Sequence, residues 1–203
     1  MKKIKRILSL LMTIMMVMSV SGCGEVEKAK KSVDEMFGAF ETVNLEQINT
    51  YLNTDELSSL ELLTDDSKSE EVFKLMFSKL SHNIISVEEA DENTIVVKTE
   101  ITTIDMGLVF QEWMQESIKM AFDGAFSGES LSEDEYNKKV EEQLLEILKK
   151  EDRQTVTNTV DIKYVKTDNK WNIQVDDKLT DALLGGLISF MDSFAAGLGD
   201  IAN

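Results

Sequence analysis

The sequence predicts an α+β fold: N-terminal helices packed on a curved antiparallel sheet of two β-hairpins, with a helical-hairpin insertion and a C-terminal helix. Apolar residues recur at helical spacing along most of the chain but alternate with polar ones over 84–104 and again over 156–175. These two periods place apolar side chains on one face of a helix and on one face of a strand, respectively. Each alternating stretch is broken by a polar turn, Ala90-Asp91-Glu92-Asn93 and Thr167-Asp168-Asn169-Lys170, the pattern of a hairpin with one wet face.

The chain opens differently. Lys2, Lys3, Lys5 and Arg6 precede an uncharged run, Ile7 to Val20, which ends in Ser21, Gly22 and the lone cysteine, Cys23. A run of that length suits a signal-peptide core and falls short of the ~20 residues of a spanning helix. Val20-Ser21-Gly22-Cys23 resembles the lipobox of bacterial lipoproteins. The resemblance implies cleavage after Gly22 and a thioether-linked diacylglycerol on Cys23. It also implies a chain anchored by that lipid to the extracytoplasmic face of the cell membrane. A plain secretory signal with an incidental cysteine is the alternative. Residues 1–22 are therefore expected to be a signal peptide and 23–203 one extracytoplasmic domain, long enough to bury roughly 70% of its unfolded surface.

Apolar residues at Ala29, Val33, Met36, Phe37 and Phe40 predict a helix over about 26–42, with Lys28, Lys30 and Lys31 on its solvated side. Asn44 and Gln47 have the spacing of a capping box, opening a short helix that turns Ile48, Tyr51 and Leu52 inward. Residues 53–67 read as irregular helix and loop. A third helix runs from about Ser69 to Ser81, with Val72, Phe73, Met76, Phe77 and Leu80 on one side, and His82 lies just past its end. The first hairpin pairs 84–89 with 94–104, turning Ile85, Val87, Ile95, Val97 and Ile101 to the core.

From Met106 to Phe126 the helical period returns, and Val109, Phe110, Trp113, Ile118, Phe122 and Phe126 share an inward face. Ser132 and Glu135 form a second capping box, opening a helix that reaches about Lys150. The two helices make an αα-hairpin inserted over about 107–150. The second β-hairpin carries Val156, Val160, Ile162 and Tyr164 outward, and Trp171, Ile173 and Val175 back, with Trp171 expected in the core. A last helix over 178–198 presents Leu179, Leu183, Leu187, Met191, Phe194 and Leu198, weakened at Gly185-Gly186 by up to about 1 kcal/mol each. Its uncharged run from Ala182 to Met191 is 10 residues, half a membrane span, so its stripe is expected to pack on the protein's own domain.

Composition narrows the chemistry. Beyond residue 22 the chain carries 17 Lys and Arg against 38 Asp and Glu, a net charge of −21. A surface that acidic repels nucleic acid and anionic lipid, so nucleic-acid binding is not expected. Arg153 is the body's only arginine, which argues against a dedicated phosphate pocket. With one histidine, His82, and the cysteine taken by lipid, no metal site or cofactor is expected. His82 reads as a surface residue beside a helix's negative end. The acidic pairs lack the spacing of a calcium loop, and no Gly-x-Ser-x-Gly or Ser-x-x-Lys element supplies a nucleophile.

Lys170-Trp171-Asn172-Ile173, after a Val-rich strand and a polar turn, together with the leading helices, resembles uncharacterised Gram-positive lipoproteins with a nuclear-transport-factor-2-like or cystatin-like domain. In those proteins the turn usually reads Asp-Gly-Lys-Trp; here Asn169 stands in the Gly position, where Asn tolerates φ > 0. The likeness covers about 25–177, and it brings no activity with it. It implies a cone that can hold an apolar pocket, for which the inward aromatics Phe37, Phe40, Phe73, Phe77, Trp113 and Trp171 are the candidates. Two expectations follow. One is a membrane-anchored, non-catalytic module that binds a protein or a small apolar ligand. The other is an enzyme using a buried carboxylate of raised pKa, for which Asp105 and Asp192 come nearest.

Overall fold

The computed structural model describes residues 23–51, 69–127 and 132–201. Residues 1–22 and the stretch 53–67, read above as signal peptide and irregular segment, lie outside the described residues. In chain order the elements are α1 (Cys23–Glu41), α2 (Leu45–Tyr51), α3 (Ser69–Met76), β1 (Ser81–Asp91) and β2 (Thr94–Ile104). They continue with α4 (Met106–Ser127), α5 (Glu133–Leu148), β3 (Thr155–Thr167), β4 (Lys170–Gln174), α6 (Asp177–Leu183) and α7 (Leu187–Ile201).

The α+β class is as expected, and the two hairpins join into one antiparallel sheet in the order β1-β2-β3-β4. The join is the long register of β2 on β3, from Thr94↔Val165 to Ile104↔Thr155. On one face Ile95, Val97, Thr99 and Ile101 of β2, with Val160, Ile162 and Tyr164 of β3, are buried. The other face is wet, and there Thr102 and Thr157 share a 2.7 Å hydroxyl hydrogen bond across the strands. Such a half-buried sheet needs helices on one side only. α1 covers β1 and β2, and α6 covers β2 and β3. The α4–α5 pair is inserted between β2 and β3.

Local signals act where the sequence places them. The Asn44 side chain accepts the Gln47 N–H at 3.2 Å and opens α2. Ser132 and Glu135 form the full reciprocal box at α5. Asp168 and Asn169 both take positive φ, +52° and +62°, the conformation that twists a two-residue hairpin turn correctly.

Several expectations are corrected. α3 ends at Met76 and β1 begins at Ser81, because Ser81 and His82 pair with Thr102 and Ile101 of β2. Ile85 is half exposed, at 50%. The register skips it, from Ile84↔Thr99 to Ser86↔Lys98, and this bulge lets His82, Ile84 and Val87 share the core face. On α4, Ile118, Phe122 and Phe126 are exposed rather than inward. α5 covers that helix at Trp113 and Ser117, and α7 covers it at Phe110. Trp171 is half-buried rather than fully buried, stacked on Tyr164 with ring centroids 5.2 Å apart.

The C-terminal helix is two helices. α6 and α7 meet at a 102° bend through Gly185 and Gly186, at φ +59° and +78°. Among the described residues no single helix is long and apolar enough to cross a membrane; this bent pair has the composition. Leu179, Leu183 and Leu187 are nonetheless buried in the protein's own core, whereas Met191 and Phe194 are exposed. The expected self-packing stripe is therefore real for its first half only.

Candidate functional site

The six candidate pocket aromatics fall into separate groups. Phe40, Phe73 and Phe77 pack ring against ring, Phe40–Phe77 edge-on at 5.2 Å and Phe73–Phe77 parallel at 6.3 Å. Phe37 is fully buried and stacks on the His82 ring at 4.1 Å. Trp113 is half-buried on the α4–α5 hairpin, where its Nε1–H donates to the Val140 carbonyl at 2.9 Å. Trp171 lies on β4, with the Lys166 ammonium 6.0 Å above its ring. The first four line the core under α1 and α3; the two tryptophans belong to other neighbourhoods.

His82 is not the surface residue expected. Its side chain is 19% exposed, in β1, and its Nε2 lies 2.9 Å from Asp34 Oδ1 of α1. Of the two carboxylates weighed as bases, Asp192 is exposed on α7. Asp105 accepts the Leu108 N–H at 3.0 Å and caps the start of α4. Among the described residues no group of three or more His, Cys, Asp and Glu side chains could hold a metal ion. Cys23 is the first residue of α1; Val20, Ser21 and Gly22, the other residues of the expected lipobox, lie outside the described residues.

A polar cleft lies elsewhere. A cleft of about 400 Å³ opens where the first three turns of α4 face the connection from α5 to β3. Its walls bring together Asp105, Glu112, Lys150, Asp152 and Arg153, with the amides of Gln111, Gln115 and Gln154 between them. The Arg153 side chain is only 10% exposed, and its Nη1 donates to Glu112 Oε2 at 2.8 Å. Lys150 Nζ donates to the other oxygen of the same carboxylate. Arg153, then Lys150, hold the Glu112 carboxyl below the usual carboxylate range.

The connection is tied down from two sides. Lys79 Nζ donates to the carbonyls of Glu151 (3.0 Å) and Arg153 (2.8 Å). The Asp105 N–H donates to the Gln154 carbonyl at 2.9 Å. Within this frame the Arg153 Nε–H is buried and has no acceptor among the described residues. A buried donor left unsatisfied costs about 1–3 kcal/mol, more than most sites carry without a reason.

Sequence reasoning did not single out Glu112, Lys150 or the Gln side chains, and took Arg153 only as an argument against phosphate binding. The available signal was Arg153 itself, the one arginine of an acidic body, set just ahead of a strand. Its partner Glu112 is 41 residues away, which no local pattern links.

No protein-family model matches the chain, and no curated protein matches it. Among solved structures the chain is similar to a crystal structure of ycdA from Bacillus subtilis subsp. subtilis str. 168, described there as a candidate lipoprotein. The identity is 18% and the TM-score 0.40, over 78% of this chain and 46% of that one. This chain thus spans under half of that protein's length, and a likeness this loose fixes neither family nor activity.

Proposed function

We propose that the chain is an extracytoplasmic lipoprotein, held on the outer face of the cell membrane by a lipid on Cys23, and that its folded body is a non-catalytic binding module. The observation that carries the anchor is the ordered run of Lys2, Lys3, Lys5 and Arg6, the uncharged stretch Ile7–Val20, and Val20-Ser21-Gly22-Cys23. Each part is common alone; their order and spacing together are what a lipoprotein signal requires. The start of α1 at Cys23 supports a body sitting close to the bilayer rather than on a stalk. The exposed face of α1 there carries Lys28 paired with Glu25 and Lys31 paired with Glu35, a nearly neutral strip on an acidic protein.

The binding half of the reading rests on the cleft at α4. Its polar side chains are held by a fixed backbone frame, while Asp105 is engaged as a helix cap and Asp192 is exposed.

Cys23→Ala tests the anchor. The wild-type chain expressed in a Gram-positive host should incorporate labelled fatty acid and lose its signal, and the variant should take up no label and keep its signal. Equal labelling and mobility of both chains sinks the lipoprotein reading.

A further inference from the structure

The cleft at α4 contains an imbalance. Lys150 and Arg153 both converge on one carboxylate, Glu112, so their local set carries one positive charge more than it neutralises. Arg153, nine-tenths buried, also keeps an Nε–H without an acceptor among the described residues. Opposite in sign, Asp105 and Asp152 line the same cleft, and Asp152 is exposed. Three glutamine amides, each both donor and acceptor, complete a lining that is mostly polar and has no aromatic platform.

Three ligand classes can be compared on charge. A simple anion would satisfy Lys150 and Arg153 but would approach through the field of a body with net charge −21 and then meet two aspartates. A simple cation would suit Asp105 and Asp152 but leave the two basic groups over-provided. A neutral molecule bearing both charges meets no long-range repulsion and offers a partner to both signs of charge in the lining. The volume, about 400 Å³, lies at the small end of ligand sites, the scale of an amino acid or a short peptide.

We propose that this cleft binds a small zwitterion, a free amino acid or a short peptide, with its carboxylate on Lys150 and Arg153 and its ammonium toward Asp152 and Asp105. The pinning of the 150–154 connection by Lys79 and Asp105 holds the basic end in place before the ligand arrives. This assignment rests on the reading of the body as a binding module and not on the lipid anchor.

Calorimetric titration of the full chain in mild detergent tests it, with L-leucine and glycyl-L-leucine as two zwitterion probes. N-acetyl-L-leucine and L-leucinamide remove one charge each. At least one zwitterion should bind with a Kd below about 1 mM, and both single-charge analogues at least about tenfold more weakly. Lys150→Gln and Asp152→Asn should each weaken binding by about tenfold, and Asp152→Asn, which alters an exposed residue outside the Glu112 triad, should do so while leaving the melting temperature unchanged. Silence of both zwitterions up to roughly 10 mM overturns the proposal. So does equal binding of N-acetyl-L-leucine, which would make this an anion site, or of L-leucinamide, which would make it a cation site. Failure here leaves the Cys23 labelling result untouched, so the two readings stand or fall separately.

Discussion

Gly185 is where the tertiary structure makes its sharpest demand on a single residue. It has φ +59°, and a Cβ built on it would lie 1.9 Å from the Ile104 carbonyl oxygen and 3.1 Å from Met106 N. Those are backbone atoms at the end of β2 and the start of α4, so no side chain can swing aside. The same contact carries a hydrogen bond, Met106 N–H to the Gly185 carbonyl at 3.1 Å. Gly186 has φ +78° with nothing within 4 Å of its Cβ position. Gly186→Ala therefore meets only the left-handed backbone penalty, about 1–2 kcal/mol. Gly185→Ala meets that penalty, loses a hydrogen bond worth about 0.5–1.5 kcal/mol, and must push α6 off the strand end, so about 3–5 kcal/mol is expected. Urea unfolding followed by tryptophan fluorescence would measure both. If the two variants are destabilised equally, Gly185 does not approach the Ile104 backbone as described, and the bend is set by something else.

Two further outcomes are expected. Arg153, then Lys150, depress the folded-state pKa of Glu112 below its ordinary 4.5, so the stability from this triad is complete above that pH and is lost as pH falls through the lower, folded value. Urea midpoints of wild type and Glu112→Gln should therefore differ most near neutrality and converge as the pH falls below the ordinary carboxylate range; a constant gap would disprove the linkage. Phe126 is 87% exposed, so Phe126→Ser should change stability by no more than about 0.5 kcal/mol. Phe37 is fully buried, so Phe37→Ala should cost about 3–5 kcal/mol by the same unfolding assay, and comparable losses would restore Phe126 to the core.

Much of the fold was legible from short-range patterns. A strand or helix is recognised by the period of its apolar residues, and the period is a property of a few consecutive side chains. That is why β2, β3 and the α4–α5 hairpin appear at nearly their expected bounds. Turn and cap chemistry is equally local: Asn44, Ser132 with Glu135, and Asp168-Asn169 each act within three residues of themselves.

What periodicity cannot supply is the identity of the surface that covers a face. Phe110 and Phe126 belong to the same apolar-rich run of α4, yet one meets Phe190 of α7 and the other meets solvent. Likewise His82 looked terminal to a helix until pairing with Ile101 drew it into β1, where a bulge at Ile85 kept the core face in phase. The broken C-terminal helix has the same cause: Gly185-Gly186 weakens a helix by a small local amount, whereas packing of Leu183 and Leu187 into the core on either side of a 102° bend selects the break. The cleft is the extreme case. Glu112, Lys150 and Arg153 meet where Lys79 and Asp105 hold the α5–β3 connection against α4. Helices, strands and turns are written in neighbouring residues, and so could be read without the fold. The bend, the exposed faces and the cleft depend on groups far apart in the chain meeting in space, and so came only with the packing.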